Sequence, residues 1–264
     1  MQYENFDEID FNKLYIEQKE KSTFKAKAKE SWDKKAPSMN QKVHKSIYNV
    51  QFLKLLDLNG ISTLLDVGCG VGNLSLRLAS KLSQVYSLDY SAKMLEILEE
   101  NAKEQNISNI KTINKSWYDS WAEVPNADLV IASRSMEVKD MKEALIKLND
   151  KANKKVALSY KVGGSFVSNE ILEVLKRDII KKPDYIYLVN ILYSMGIRAS
   201  VNFVQSEGRG TIYSSKEKFI ESVSWSISDL STDEITSLNS YYDNLDKNKR
   251  VDEEFVYWAI ISWD

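Results

Sequence analysis

Thr63-Leu64-Leu65-Asp66-Val67-Gly68-Cys69-Gly70-Val71-Gly72-Asn73 decides how this chain folds. A short apolar run passes directly into glycines, then into a stretch carrying Leu74, Leu78 and Leu82 on one side. An apolar run without alternation is the pattern of a strand buried on both faces, and a four-residue step is that of a helix. Strand, glycine turn and helix in that order form the first half of a right-handed crossover, the unit of a parallel sheet.

Working outward, the alternation continues. Val85–Asp89 reads as a second strand, Ala92–Glu104 as a helix capped by Ser91, and Asn109–Ile113 as a third strand. Asp128–Ala132, helical Lys139–Asn149 and strand Lys155–Tyr160 follow, before Gly163-Gly164. The pattern predicts an α/β fold: a doubly wound, Rossmann-like, mostly parallel sheet of about seven strands with helices on both faces. Upstream, residues 7–35 read as one helix, with Phe24, Ala28 and Trp32 on a four-residue step. Pro37 is expected to interrupt it because its ring blocks continuation. Residues 41–58 read as the next helix, on which His44 would share a face with Ile47, Tyr48, Gln51 and Leu55. Past Gly164 the pattern changes to two helices, 169–181 and 184–195, the second apolar nearly all round. Ser200–Ser206 and Phe255–Ser262 alternate like strands, with helical stretches 215–227 and 232–246 between them. The expected organisation is a helical arm at 1–40 and one domain at 41–264, with a helical lid at about 164–198.

Composition narrows the function classes. One cysteine cannot close an internal disulfide, and one histidine beside it leaves little for a nitrogen/sulfur metal site, so no metal is expected. The formal charge of -2 gives no global attraction to nucleic acid. The lysines between Lys13 and Lys45 are interleaved with Glu17, Glu20, Glu30 and Asp33, which suits a solvated helix face better than an RNA-binding strip. No apolar run has membrane length, and the first residues lack a signal-peptide pattern, so a cytoplasmic location and no membrane partner are expected.

Ligands of an open parallel sheet bind outside the carboxyl ends of its strands. The loop Gly68–Gly72 lies there, and a backbone without side chains can approach a ligand closely. Asp89, about 20 residues after the first glycine, ends the second strand, where a carboxylate can accept both hydroxyls of a ribose. Dinucleotide sites favour G-x-G-x-x-G, whereas the spacing here is G-x-G-x-G behind Asp66. Asp66 would repel a pyrophosphate but suits the cationic amino group of an amino-acid ligand, which favours S-adenosylmethionine. An NAD(P)-dependent oxidoreductase is the alternative of a different class.

Together, Leu64–Gly72 and Tyr86–Leu95 resemble the first and second motifs of the class I S-adenosylmethionine-dependent methyltransferases, over roughly residues 61–160. The resemblance implies S-adenosyl-L-methionine as methyl donor and S-adenosyl-L-homocysteine as product. It implies that Asp66, Gly68, Cys69, Gly70 and Gly72 surround the cofactor and that Asp89 holds the ribose. Tyr90 and Met94 would flank the adenine, with Trp117 at its edge and Asp119 nearby. Ser133 would lie under the transferable methyl, and Trp32 would belong to a segment folded over the cofactor.

Cys69 reads as a space-filler, since no base lies near it in sequence. Arg134, Tyr160 and His44 are the acceptor-pocket candidates, although a half-buried structural role is the commoner one for such a histidine. Arg209 reads as a surface turn. The pocket walls are expected from Ser133–Met136, Tyr160, Trp32, Tyr185 and Tyr193, an aromatic lining that suggests a small organic acceptor. The alternatives are an RNA or protein acceptor, or a protein that binds the cofactor without catalysis. Nothing in the sequence addresses oligomeric state.

Overall fold

The computed structural model describes residues 5–208, 213–227, 229–246 and 255–264. Its centre is a seven-stranded sheet of order β3-β2-β1-β4-β5-β7-β6. The strands are β1 (Thr63–Val67), β2 (Gln84–Asp89), β3 (Ile110–Asn114), β4 (Ala127–Ala132), β5 (Ala152–Lys161), β6 (Ser200–Ser206) and β7 (Val256–Trp263). Strands β1 to β5 pair in parallel, and β7 lies antiparallel between β5 and β6. The order reverses at β1, which pairs with β2 on one side and β4 on the other. That switch point opens a crevice at the carboxyl ends of both strands.

Side chains of a strand alternate between faces, so each central strand feeds two cores. Leu64, Val85, Leu129, Ile131, Ala157 and Ile260 pack with α3 (Ile47–Leu55) and α4 (Ser75–Ala79). Their sequence neighbours Leu65, Val130, Val156, Leu158 and Ile261 pack on the opposite face with α1 (Phe11–Lys21), α6 (Met141–Lys151) and α8 (Tyr185–Ser194). Between β2 and β3, α5 (Ala92–Glu104) begins at Ser91, whose hydroxyl accepts the Met94 N–H at 3.1 Å. An unpaired first-turn donor is thereby satisfied.

The arm departs from the sequence expectation. The helix expected over 7–35 is broken: α1 ends at Lys21, and Ser22 and Thr23 turn to bond the carbonyl of Ile180 at 3.1 and 3.0 Å. Pro37 does not interrupt the next helix; it lies inside α2 (Lys29–Val43). A mid-helix proline costs about 3 kcal/mol. Packing outweighs that cost, because Trp32, Ala36, Met39 and Val43 bury one face of α2 against Val71, Met94 and Ile97.

The stretch expected as a lid also divides. Leu188, Ile191 and Leu192 of α8 are fully buried with Ala259, Ile261 and Trp263, so this helix covers the sheet. The other segment contributes α7 (Asn169–Leu175), which joins α9 (Lys216–Ser226) and α10 (Thr232–Asn244) in a separate apolar cluster around Phe219, closed by Phe24 of the arm. Phe219 is fully buried and stacks on Tyr213 at 5.5 Å. Phe219→Ala should lower stability by about 3–5 kcal/mol in urea denaturation; a loss below about 1 kcal/mol would mean the cluster contributes no real core.

Candidate active site

The glycine loop is shaped by what surrounds it. A Cβ on Gly68 would fall 2.3 Å from that of Ser135, and one on Gly72 would fall 2.8 Å from Leu98 Cγ. Those two glycines let the loop press against the protein. Gly70 differs: its φ of +54° is left-handed, and a Cβ there would meet nothing within 4 Å. The middle of the loop therefore borders open space, beside the end of β2.

Backbone bonds hold the loop to that strand. The Gly68 and Cys69 N–H groups donate to Leu88 O at 2.7 and 3.1 Å. Asp89 then accepts Gly70 N–H on Oδ2 and Ser91 N–H on Oδ1, both at 2.9 Å. One carboxylate thus fixes the loop and the start of α5 together. Burial pushes the Asp89 pKa up, and these backbone donors oppose the shift. Each carboxylate oxygen has a second lone pair for a ligand hydroxyl.

Asp66 sits one layer deeper. Its Oδ2 accepts the Ser75 hydroxyl at 2.6 Å, and Ser87 donates to Ser75 at 2.8 Å. Burial raises its pKa to about 7, with Ser75 opposing and Asp89 adding to the shift. Cys69 packs against Leu95 and Leu98, and burial pushes its thiol up, away from nucleophilic use. Asn73, absent from the sequence-based candidates, donates to Asn49 Oδ1 at 2.6 Å and so joins the loop to α3. Its own Oδ1 is buried without a partner.

At the end of β2 the structure brings Tyr90 and Asp33 next to Asp89: the Ser91 hydroxyl donates to Asp33 of the arm, and burial with Asp89 lifts Tyr90 to about 12. Met94 is buried against Ala36 of α2 rather than open beside Tyr90. Trp117 donates to Ser135 O at 3.1 Å and stacks on Trp121 at 5.2 Å. Asp119 closes a turn by accepting Ser116 N–H at 2.6 Å. Trp32 faces Trp225 of α9 edge-on at 5.9 Å, and so ties α2 to the helical cluster.

Beyond the glycine loop, residues after β4 meet α3. Tyr48 donates to Ser159 at 2.7 Å and shares a 2.8 Å bond with Ser133. Ser159 also accepts the Arg134 N–H at 2.8 Å. Arg134 adopts a left-handed φ of +56°, and its guanidinium lies 4.4 Å from the Tyr48 ring centre and 6.0 Å from that of Trp258. Sequence reading missed Tyr48 and Trp258 because their roles depend on pairings between distant segments.

The three acceptor candidates are not brought together. Tyr160 points to the opposite face of the sheet, where burial and Glu137 raise its pKa. His44 is not on the Tyr48 helix face; it is the C-cap of α2, bonded to Asn40 at 3.0 Å, with its pKa lowered by burial and Arg77. Tyr185 and Tyr193 do not line this crevice either. Tyr185 packs on Phe203 of the edge strand, and Tyr193 on Phe6. Arg209 lies outside the described residues.

A family model described as a methyltransferase domain matches residues 58–209, more than half the chain. An uncharacterized protein of Haemophilus influenzae is 37% identical over 236 residues, covering 88% of each chain. A 23S rRNA uracil C5-methyltransferase of Aliivibrio fischeri is 35% identical over 95 residues, but the match spans 36% of this chain and 20% of that one. Among solved structures, a proposed methyltransferase of Bacillus halodurans superposes with TM-score 0.57 at 10% identity, covering 81% of this chain and 96% of that one. Magnesium protoporphyrin IX methyltransferase of Synechocystis superposes with TM-score 0.51 at 14% identity, covering 96% and 94%.

The raised Asp66 has a measurable consequence. Between its unfolded value of 3.8 and about 7 the native state holds a proton that the unfolded chain has lost, so stability must fall as pH rises across that window. Asp66→Asn keeps an acceptor for Ser75, and should flatten the fall in Tm between about pH 4 and 7; an unchanged slope would assign the dependence to other groups. With the glycine loop, the Asp89 clamp and the family match in place, the chain belongs to the class I methyltransferase-domain family and is an S-adenosylmethionine-dependent methyltransferase.

Proposed function

We propose that this protein transfers the methyl group of S-adenosylmethionine to a small organic acceptor, in the crevice between the glycine loop and the residues that follow β4. The observation that carries the placement is the pairing of Gly70, open to space at its Cβ position, with Asp89, whose carboxylate already accepts its N–H. In this reading Asp89 accepts the two ribose hydroxyls. Asp66, held by Ser75, lies behind the loop toward the amino-acid end of the donor, whose cationic amino group would favour its ionised form. Tyr90 borders the adenine, and Ser133 the methyl.

When bound, S-adenosylmethionine supplies a methyl group on a cationic sulfur, already activated toward in-line attack. The work left to the chain is positioning and exclusion of water. Tyr48 bridges Ser133 and Ser159 through its hydroxyl and so ties α3 to the ends of β4 and β5, on the wall opposite the loop. The arm supplies the cover, through Asp33 on Ser91 and through Trp32 on Trp225.

A small acceptor fits the electrostatics better than RNA does. Lys19 and Lys182 both pair with Glu137, and Lys35 lies 3.5 Å from the centre of the Trp225 ring. Those lysines are spent on internal contacts, and the overall charge is slightly negative. Asp89→Ala should weaken S-adenosylhomocysteine binding about 10- to 100-fold, or about 1.4–2.8 kcal/mol, in titration calorimetry. NAD should not bind in the same experiment. Equal binding to wild type and variant, or tighter binding of NAD, would defeat the proposal.

A further inference from the structure

Resting on that placement of the methyl donor, we infer that the acceptor carries a carboxylate, and that Arg134 is the residue that selects it. The backbone is the first sign. A non-glycine residue at φ +56° is uncommon, and such strain persists where the surroundings enforce it. Here the enforcement is visible: Ser159 accepts the Arg134 N–H at 2.8 Å, and the next residue, Ser135, is locked to Val67 O at 2.6 Å. The kink turns the arginine out of the strand line and onto the aromatic pair Tyr48 and Trp258.

The guanidinium is placed without a salt bridge to any of the described carboxylates, Glu207 acting on it only through its charge. It lies 4.4 Å from the centre of the Tyr48 ring and 6.0 Å from that of Trp258, contacts that hold a planar cation while leaving its N–H edge for a partner. Among the described residues, Glu207 is the carboxylate whose charge reaches it. Glu207 is already committed, accepting the Ser46 hydroxyl at 2.6 Å and the Ile47 N–H at 2.5 Å at the start of α3. Burial disfavours the charged arginine, so a partner anion would relieve a real cost.

The position suits an acceptor better than the donor's own carboxylate. Arg134 leans toward β7, away from Asp89 and β2. Trp258 is linked at 5.8 Å to Phe166, which lines a groove of about 600 Å³ between Lys161 and Tyr257. A planar carboxylate can take the guanidinium edge with two parallel hydrogen bonds, while its apolar body extends toward Phe166, the exposed ring of this series. The nucleophilic atom would then point back across Ser133.

Benzoate and its uncharged isostere benzamide test this directly. Each is titrated into protein saturated with S-adenosylhomocysteine, with tryptophan fluorescence and calorimetry as readouts. Benzoate should bind at least about tenfold more tightly than benzamide. Arg134→Met should abolish that preference while changing S-adenosylhomocysteine affinity less than about twofold, and Arg134→Lys should retain part of it. Equal binding of the two probes, or no benzoate binding at millimolar concentration, would overturn the inference. So would inorganic phosphate binding more tightly than benzoate. A parallel loss of S-adenosylhomocysteine in Arg134→Met would assign the arginine to the donor instead. Failure of wild-type protein to bind S-adenosylhomocysteine at all is a separate result, and would remove the proposed function itself.

Discussion

A single carboxylate holds the centre of this protein together. Asp89 accepts one backbone N–H from the glycine loop and one from the start of α5, each at 2.9 Å. Without it, Gly68–Gly72 would be tied to β2 only through Leu88 O. Keeping an ionised group buried is costly, and backbone donors are what make it tolerable. The same side chain is thus a structural clamp and, under the proposed function, the acceptor for the ribose hydroxyls. Its geometry is set before any ligand arrives, which is the condition for a preorganised site.

Around that clamp the fold builds two walls of different character. The wall of α2 is apolar and reaches the loop through Val71 and Met94, so it depends on the arm folding back from the far end of the sequence. The wall after β4 is polar and bonded, with Tyr48, Ser133 and Ser159 locking α3 to two strands. Arg134 rises from this second wall in a conformation that only such bonding would hold. Under the proposed function the two walls would divide the labour: one would cover the donor, and the other would choose what is methylated.

The sheet was legible in the sequence because its central strands are buried on both faces. Runs such as Leu64–Val67 and Leu129–Ala132 carry no alternation and stop at glycine or polar residues, a local signal. The place of Asp89 at the end of β2 was legible from its spacing to the first glycine, but its bonds to the Gly70 and Ser91 N–H groups were not. The arm was not. Pro37 reads locally as a helix breaker, and only the burial of Ala36 and its neighbours against α5 keeps α2 continuous. His44 was placed on the wrong helix because the break between α2 and α3 has no strong turn residue to mark it. The apolar helix read at 184–195 was expected in a lid, but its partner is the sheet, a contact between distant segments that no local signal marks. Tyr48 and Trp258 escaped notice since nothing local distinguishes a site aromatic from a core one.

Under the proposed function the methyl donor lies across the Gly70–Asp89 clamp with its reactive end toward Ser133 and Arg134. A crystal structure with S-adenosylhomocysteine bound measures this most directly. The account predicts both ribose hydroxyls within hydrogen-bonding distance of the Asp89 carboxylate, and the sulfur facing the turn at Ser133–Ser135. A ligand whose ribose is held elsewhere, or whose sulfur faces away from the end of β4, would contradict it.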